Sequence, residues 1–134
     1  MVVNDSIADM LTRIRNGIHA KHSLVDMPAS RFKKELAVLL NKEGYIENYD
    51  EIEKDGLPYK ILRIYLKYDA KGKSAISGIS SVSTPGRRVY VNHKSIPRTL
   101  DGLGITVLTT PKGLYTDREA RRNNLGGEVI ARVW

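Results

Sequence analysis

The 134-residue chain is 41% hydrophobic and carries a formal charge of +7, enough apolar material for the cores of one or two small domains. It contains no cysteine, which excludes disulfide frameworks, thiolate catalysis and cysteine-bound zinc together. No apolar run approaches the ~20 residues of a membrane span, and the opening residues lead into an amphipathic pattern instead of a signal peptide, so a soluble cytoplasmic protein with no membrane partner is expected.

Asn4, Asp5 and Ser6 offer N-caps for a helix over about 6–20, in which Ile7, Met10, Leu11, Ile14 and Ile18 form one apolar face. Asp9, Arg13, Arg15 and Asn16 occupy the rest of it, a set that can reach phosphate or simply face water. A short strand over 23–27 stops at Pro28, and Ser30 then caps a second helix with Phe32, Leu36, Leu39 and Leu40 inward and Gly44 just past its end. Alternation over 45–54 and 59–67 around Asp55-Gly56-Leu57-Pro58 predicts a β-hairpin that buries Leu62, Ile64 and Leu66. The first half thus reads α-β-α-β-β.

The sign balance changes after this hairpin. Residues 1–67 hold 11 Lys and Arg against 10 Asp and Glu, whereas residues 68–134 hold 11 against 5. The cationic surplus that suits a polyanionic partner belongs to the second half, and a domain boundary near residue 70 is expected, giving domains 1–69 and 70–134. Gly72-Lys73-Ser74 mimics the end of a phosphate-binding loop, but Lys67 stands where that motif needs a glycine.

The second half is mostly strand, over 75–82, 89–92, 105–109 and 129–134, with one short helix, so the fold class is α+β with a mostly antiparallel C-terminal part. Ser83-Thr84-Pro85-Gly86-Arg87-Arg88-Val89-Tyr90 is either an ordinary hairpin with a half-buried tyrosine or a basic turn with an aromatic platform for a base. Thr109 and Thr110 end a strand, Pro111-Lys112-Gly113 supplies a turn, and both hydroxyls are expected at an exposed rim. Thr116 and Glu119 form a capping box for a helix carrying Arg118, Arg121 and Arg122. Gly126-Gly127-Glu128 opens the last strand, where paired glycines permit close backbone approach. The alternation around Trp134 leaves its face undecided.

The run from Thr109 through Gly113, continued by Thr116, Asp117, Ala120 and Arg121, resembles the signature of the family of ribosomal protein eight of the small subunit. Asp5 to Gly17, Pro85-Gly86-x-Arg88-x-Tyr90, Ile96-Pro97 with Gly102-Leu103-Gly104, and Gly126-Gly127-Glu128 resemble the same family at matching places. Thr109 stands where the family usually has Ser, and Tyr115 where it usually has an aliphatic residue. The resemblance implies a structural constituent of the small subunit that binds an irregular stem in the central domain of 16S ribosomal RNA, helps nucleate assembly, contacts neighbouring small-subunit proteins and often represses its own operon through a messenger-RNA mimic. It carries RNA contact onto Asp9, Arg13, Arg15, Asn16, Pro85, Gly86, Arg88, Tyr90, Thr109, Thr110, Pro111, Lys112, Gly113, Gly126, Gly127 and Glu128. Glu128 is expected to accept from a base amine or to hold an Arg or Lys in place.

An enzyme is not expected. His19, His22 and His93 have no paired acid and nucleophile at a recognisable spacing, and neither a cofactor, a metal nor a small-molecule substrate is anticipated. The alternatives are a basic protein-protein assembly module, with the near-neutral first half as its surface, and an RNA-binding protein outside the ribosome.

Overall fold

The computed structural model describes residues 3–134, with side chains from Ser6 onward. The fold is α+β, and the chain divides into two compact units, 9–76 and 77–134, the second including the start of the first helix. The expected division near residue 70 falls within a loop that the first unit retains. Ala75 N–H donates to the Lys67 carbonyl at 2.9 Å, and Tyr68 bridges Ser74, so this loop folds back on the strand that feeds it.

In the N-terminal unit, strands β1 (Leu24–Pro28), β3 (Ile61–Leu66) and β2 (Ile46–Ile52) form an antiparallel sheet in that order. Leu62 and Ile64 are fully buried and Leu66 nearly so, each contributing roughly 1.5–3 kcal/mol as apolar area leaves water. Helix α2 (Arg31–Lys42) starts where Ser30 Oγ accepts from Lys33 N–H and buries Leu36, Ala37, Leu39 and Leu40. Gly44, at φ 83°, follows its end as expected. Phe32 departs from expectation: it is only half-buried, with the Arg31 guanidinium 6.0 Å from its ring centre.

Helix α1 (Val3–His19) begins before the expected cap, so Ser6 lies within it. The side chains of Asn4 and Asp5, the other two expected caps, lie outside the described residues. Met10, Leu11 and Ile14 are fully buried. Gly17 brings α1 onto the sheet, since a Cβ there would stand 2.5 Å from Val25 Cγ1.

The C-terminal unit is an antiparallel sheet in the order β4 (Ile79–Ser81), β8 (Gly127–Val133), β6 (Ile105–Thr110), β7 (Gly113–Thr116), with β5 (Tyr90–Val91) also paired to β8. Helix α3 (Asp117–Arg122) follows β7 directly. The sequence reading missed β7. Of the two alternatives for residues 83–90, the ordinary hairpin does not form: β4 and β5 each pair with a different stretch of β8. Leu108, Val129, Ala120 and Ile96 form one core cluster, and Val107, Ala131 and Val133 are fully buried as well. Trp134 packs its ring against Gly78, where any Cβ would overlap the indole, and its backbone N–H donates to the Gly78 carbonyl at 3.0 Å.

Candidate nucleic-acid interface

The C-terminal surface is built on strand register. Tyr90 of β5 lies opposite Glu128 of β8, which lies opposite Thr109 of β6. Residues opposed across an antiparallel ladder share one face, so an aromatic ring, a carboxylate and a hydroxyl stand in a row. Tyr90 is 69% exposed, which settles the open alternative about its burial in favour of exposure. Leu108 and Val129, one residue along each strand, point into the core.

The same alternation corrects one expectation. Successive strand residues point to opposite faces, so Thr109 and Thr110 cannot both sit on an exposed rim. Thr109 takes the outer face, and Thr110 is buried. Its hydroxyl donates to the Gly113 carbonyl at 2.9 Å and accepts from Lys112 N–H at 3.1 Å, closing the two-residue Pro111-Lys112 turn from within. Pro111 and Lys112 are exposed, and Gly113 takes the positive φ of 117° that the return requires.

Glycines at 126 and 127 let three strands converge. A Cβ on Gly127 would overlap the Thr109 carbonyl oxygen, and one on Gly126 would overlap that of Val91. Thr84 and Arg87 exchange two backbone hydrogen bonds of 3.0 Å around Pro85-Gly86, leaving Pro85, Gly86 and Arg87 exposed. Arg88 turns the other way, with its guanidinium 3.8 Å from Glu128 Oε2. Of the two expected roles for Glu128, this geometry matches the holding of an arginine. Arg87, which the sequence reading passed over, is the exposed cation of this turn. The two adjacent arginines carry no local signal of which faces out, because the pairing with β8 decides it.

Asp117 and Arg121 have structural partners. The buried Asp117 carboxylate accepts from Thr106 N–H at 3.2 Å and pairs with Arg121 at 2.9 Å, and Arg121 donates to the Ile96 carbonyl at 3.1 Å. The capping box forms as expected, with Glu119 N–H donating to Thr116 Oγ1 and Thr116 N–H to Glu119 Oε1. This part of the signature fastens α3 in place. Arg118 and Arg122 remain exposed.

In the N-terminal unit, Asp9, Arg13 and Asn16 form an exposed stripe on α1. Arg15 is about 120° round the helix from them at 100° per residue, so the expected set of four is split. Arg13 Nε donates to Asp9 Oδ2 at 3.0 Å, and its Nη1 donates to the Asp26 carbonyl at 3.1 Å. Lys33, whose side chain is buried, lies 3.7 Å from Asp9 and donates to the Pro28 carbonyl. Arg63 makes a two-pronged contact with the Asp26 carboxylate, at 2.8 and 2.9 Å, and these bonds hold that carboxyl below its usual range.

Among the described residues, no group of His, Asp and Glu is arranged to hold a metal ion, and no helix is long and apolar enough to cross a membrane.

Fold and surface together define a small basic α+β protein whose polar groups are displayed on a sheet face. The chain belongs to the ribosomal protein S8 family, whose model matches residues 5–134. It is 54% identical over 134 residues to the small ribosomal subunit protein uS8 of Clostridioides difficile (strain 630), covering all of both chains. It is 50% identical over 133 residues to the uS8 protein of Koribacter versatilis (strain Ellin345), covering 99% of this chain and 98% of that one. With the uS8 protein of Streptococcus agalactiae serotype V the identity is 47% over the whole of both chains. The resemblance seen in the separate motifs therefore holds along nearly the entire sequence.

Proposed function

We propose that the chain is a structural constituent of the small ribosomal subunit in the cytoplasm. It binds an irregular stem in the central domain of 16S ribosomal RNA, helps nucleate assembly beside neighbouring small-subunit proteins, and represses its operon through a messenger-RNA mimic. The observation that carries the reading is the row of Tyr90, Glu128 and Thr109 beside the Lys112 turn. An A-form stem hides its base edges in a deep, narrow groove, so a protein must read backbone shape, 2′-hydroxyls and distorted or unstacked bases. The Thr109 hydroxyl both donates and accepts, which suits a 2′-hydroxyl or a base edge. Tyr90 offers a stacking face worth roughly 1–3 kcal/mol per base. Lys112, Arg13 and the neighbouring cations neutralise phosphate. Glu128, which would repel phosphate alone, keeps Arg88 in place and presents its remaining acceptor capacity to a base amine.

The test is a salt titration of the purified protein against a short central-domain stem, with a scrambled stem as competitor. Selective binding that Glu128→Gln weakens severalfold supports the reading. Equal affinity for both stems would reduce the surface to a basic patch, and an unchanged affinity and preference in Glu128→Gln would remove Glu128 from it.

A further inference from the structure

Asp or Asn precedes glycine at three steps of the sequence: Asn16-Gly17, Asp55-Gly56 and Asp101-Gly102. Such a step can rearrange with no reagent but water, because glycine has no Cβ to keep its amide nitrogen away from the side-chain carbonyl carbon before it. The fold treats the three differently. Asn16-Gly17 lies inside α1, with Gly17 buried against Val25. At Asp101-Gly102 the amide is committed: Gly102 N–H donates to the Thr99 carbonyl at 3.0 Å, and the next two amides bond to Leu100 and Thr99.

Asp55-Gly56 sits at the tip between β2 and β3, at the centre of a turn in which Leu57 N–H donates to the Lys54 carbonyl at 3.2 Å and Gly56 has φ 85°. The Gly56 N–H makes no hydrogen bond among the described residues. A turn of this kind can rotate its central peptide while keeping the bond that closes it, which is how the type I and type II forms differ. The central peptide here is the one joining Asp55 to Gly56. Nothing outside the loop restrains it. Residues 53–60 are all exposed, a Cβ on Gly56 would meet nothing within 4 Å, and the open hollow of ≈ 440 Å³ at the tip is lined by residues 53–60 alone.

We propose that Asp55 is the position at which the folded chain converts to isoaspartate, and that the altered turn is a substrate for a methyltransferase that recognises a free α-carboxylate beside a β-peptide link. The Gly56 amide nitrogen attacks Asp55 Cγ. The new C–N bond closes a five-membered imide, and the amide proton leaves with the carboxyl hydroxyl as water. Water then reopens the ring. Cleavage at Cγ restores aspartate, whereas cleavage at the main-chain carbonyl carbon routes the backbone through Cβ and Cγ and frees the α-carboxylate. One water is lost and one regained, nothing is oxidised or reduced, and the charge is unchanged. The product has one extra methylene in the backbone of the turn, and its α-carboxylate accepts a methyl group from S-adenosylmethionine. The proposal is independent of the RNA reading, since the loop contains none of the residues assigned to RNA.

The test ages the purified full chain at physiological temperature and pH, folded and in urea, then supplies an isoaspartate-specific methyltransferase with labelled S-adenosylmethionine and maps the label by peptide. In the folded chain, label at residue 55 should exceed that at residue 101 about tenfold, because a backbone bond must open before Asp101 can react. In urea the two Asp-Gly steps should converge. Asp55→Glu should abolish the label in its peptide, since the longer side chain closes a six-membered ring far less readily. Label at 55 no greater than at 101 in the folded chain would overturn the proposal, as would label that survives in Asp55→Glu. A ratio in urea equal to that in the folded chain would show that the fold does not choose the position, and would overturn it too.

Discussion

The Thr109 row and the exposed stripe of α1 place similar polar groups by different means. In the C-terminal unit the backbone does the positioning: glycines at 126 and 127 bring three strands together, and the buried Thr110 hydroxyl closes the turn beneath Lys112. On α1 the positioning falls to side chains, where Arg13 is held by Asp9 and by a carbonyl of β1. Exposed ion pairs contribute only ~0–1 kcal/mol, so the Arg13–Asp9 pair holds Arg13 weakly, and under the proposed function a phosphate would displace Asp9. One arrangement is set by the backbone, and the other by exposed side chains.

The largest test of that difference is Gly127→Ala. A methyl group meeting the Thr109 carbonyl must force two strands apart, at about 1–3 kcal/mol by analogy with overpacked cores, with stem affinity falling more than tenfold. Urea unfolding and RNA titration of the same preparation measure both effects. An unchanged midpoint would show that the strands relax and that the row is not rigid.

The threonine pair separates structure from contact. Thr110→Val removes both turn bonds and should cost about 1–2 kcal/mol. Thr109→Val should leave stability within ~0.5 kcal/mol while weakening stem binding about tenfold. A reversed pattern would exchange the two roles.

On α1, Arg13→Gln should leave the melting temperature almost unmoved, weaken RNA binding a few-fold and lower the salt slope by about 1. A loss as great as that of Gly127→Ala would erase the distinction between the two surfaces.

The smallest effect is expected beneath α1, at Asp26→Asn. Hydrogen bonds from Arg63 hold the folded carboxyl below its ordinary value of 3.8, so its stabilising contribution is complete above the unfolded value and lost as pH falls through the folded one. Wild type should melt slightly above the variant from neutral pH down to about 4, the ordinary Asp range, and the gap should close below. A gap that persists in stronger acid would mean that the Arg63 pair is not its source.

Much of this was legible in local sequence. Ser30 as a cap, Gly44 past the helix end, the Thr116–Glu119 box and the burial of Leu62, Ile64 and Leu66 follow from periodicity and capping chemistry, which act over a few residues. The misreadings depended on partners distant in the chain. The segment of β7 reads as loop because Gly113 opens it, and it is a strand because β6 lies alongside. Which of Arg87 and Arg88 turns inward depends on Glu128, and Asp26 meets an arginine 37 positions away. The division of labour between Thr109 and Thr110 was available from period-two alternation alone, had the two hydroxyls not been read as a pair.

That alternation constrains how the signature can vary over evolutionary time. Thr109 and Thr110 should each tolerate exchange for serine, because the turn bonds of Thr110 and the proposed contact of Thr109 need an oxygen more than a particular shape. A single-residue insertion or deletion in β6 is another matter. It would send the outward-facing hydroxyl into the core and the turn-closing hydroxyl outward, exchanging their places. Drift in this strand should therefore run through substitutions, while changes of length collect in the loops on either side.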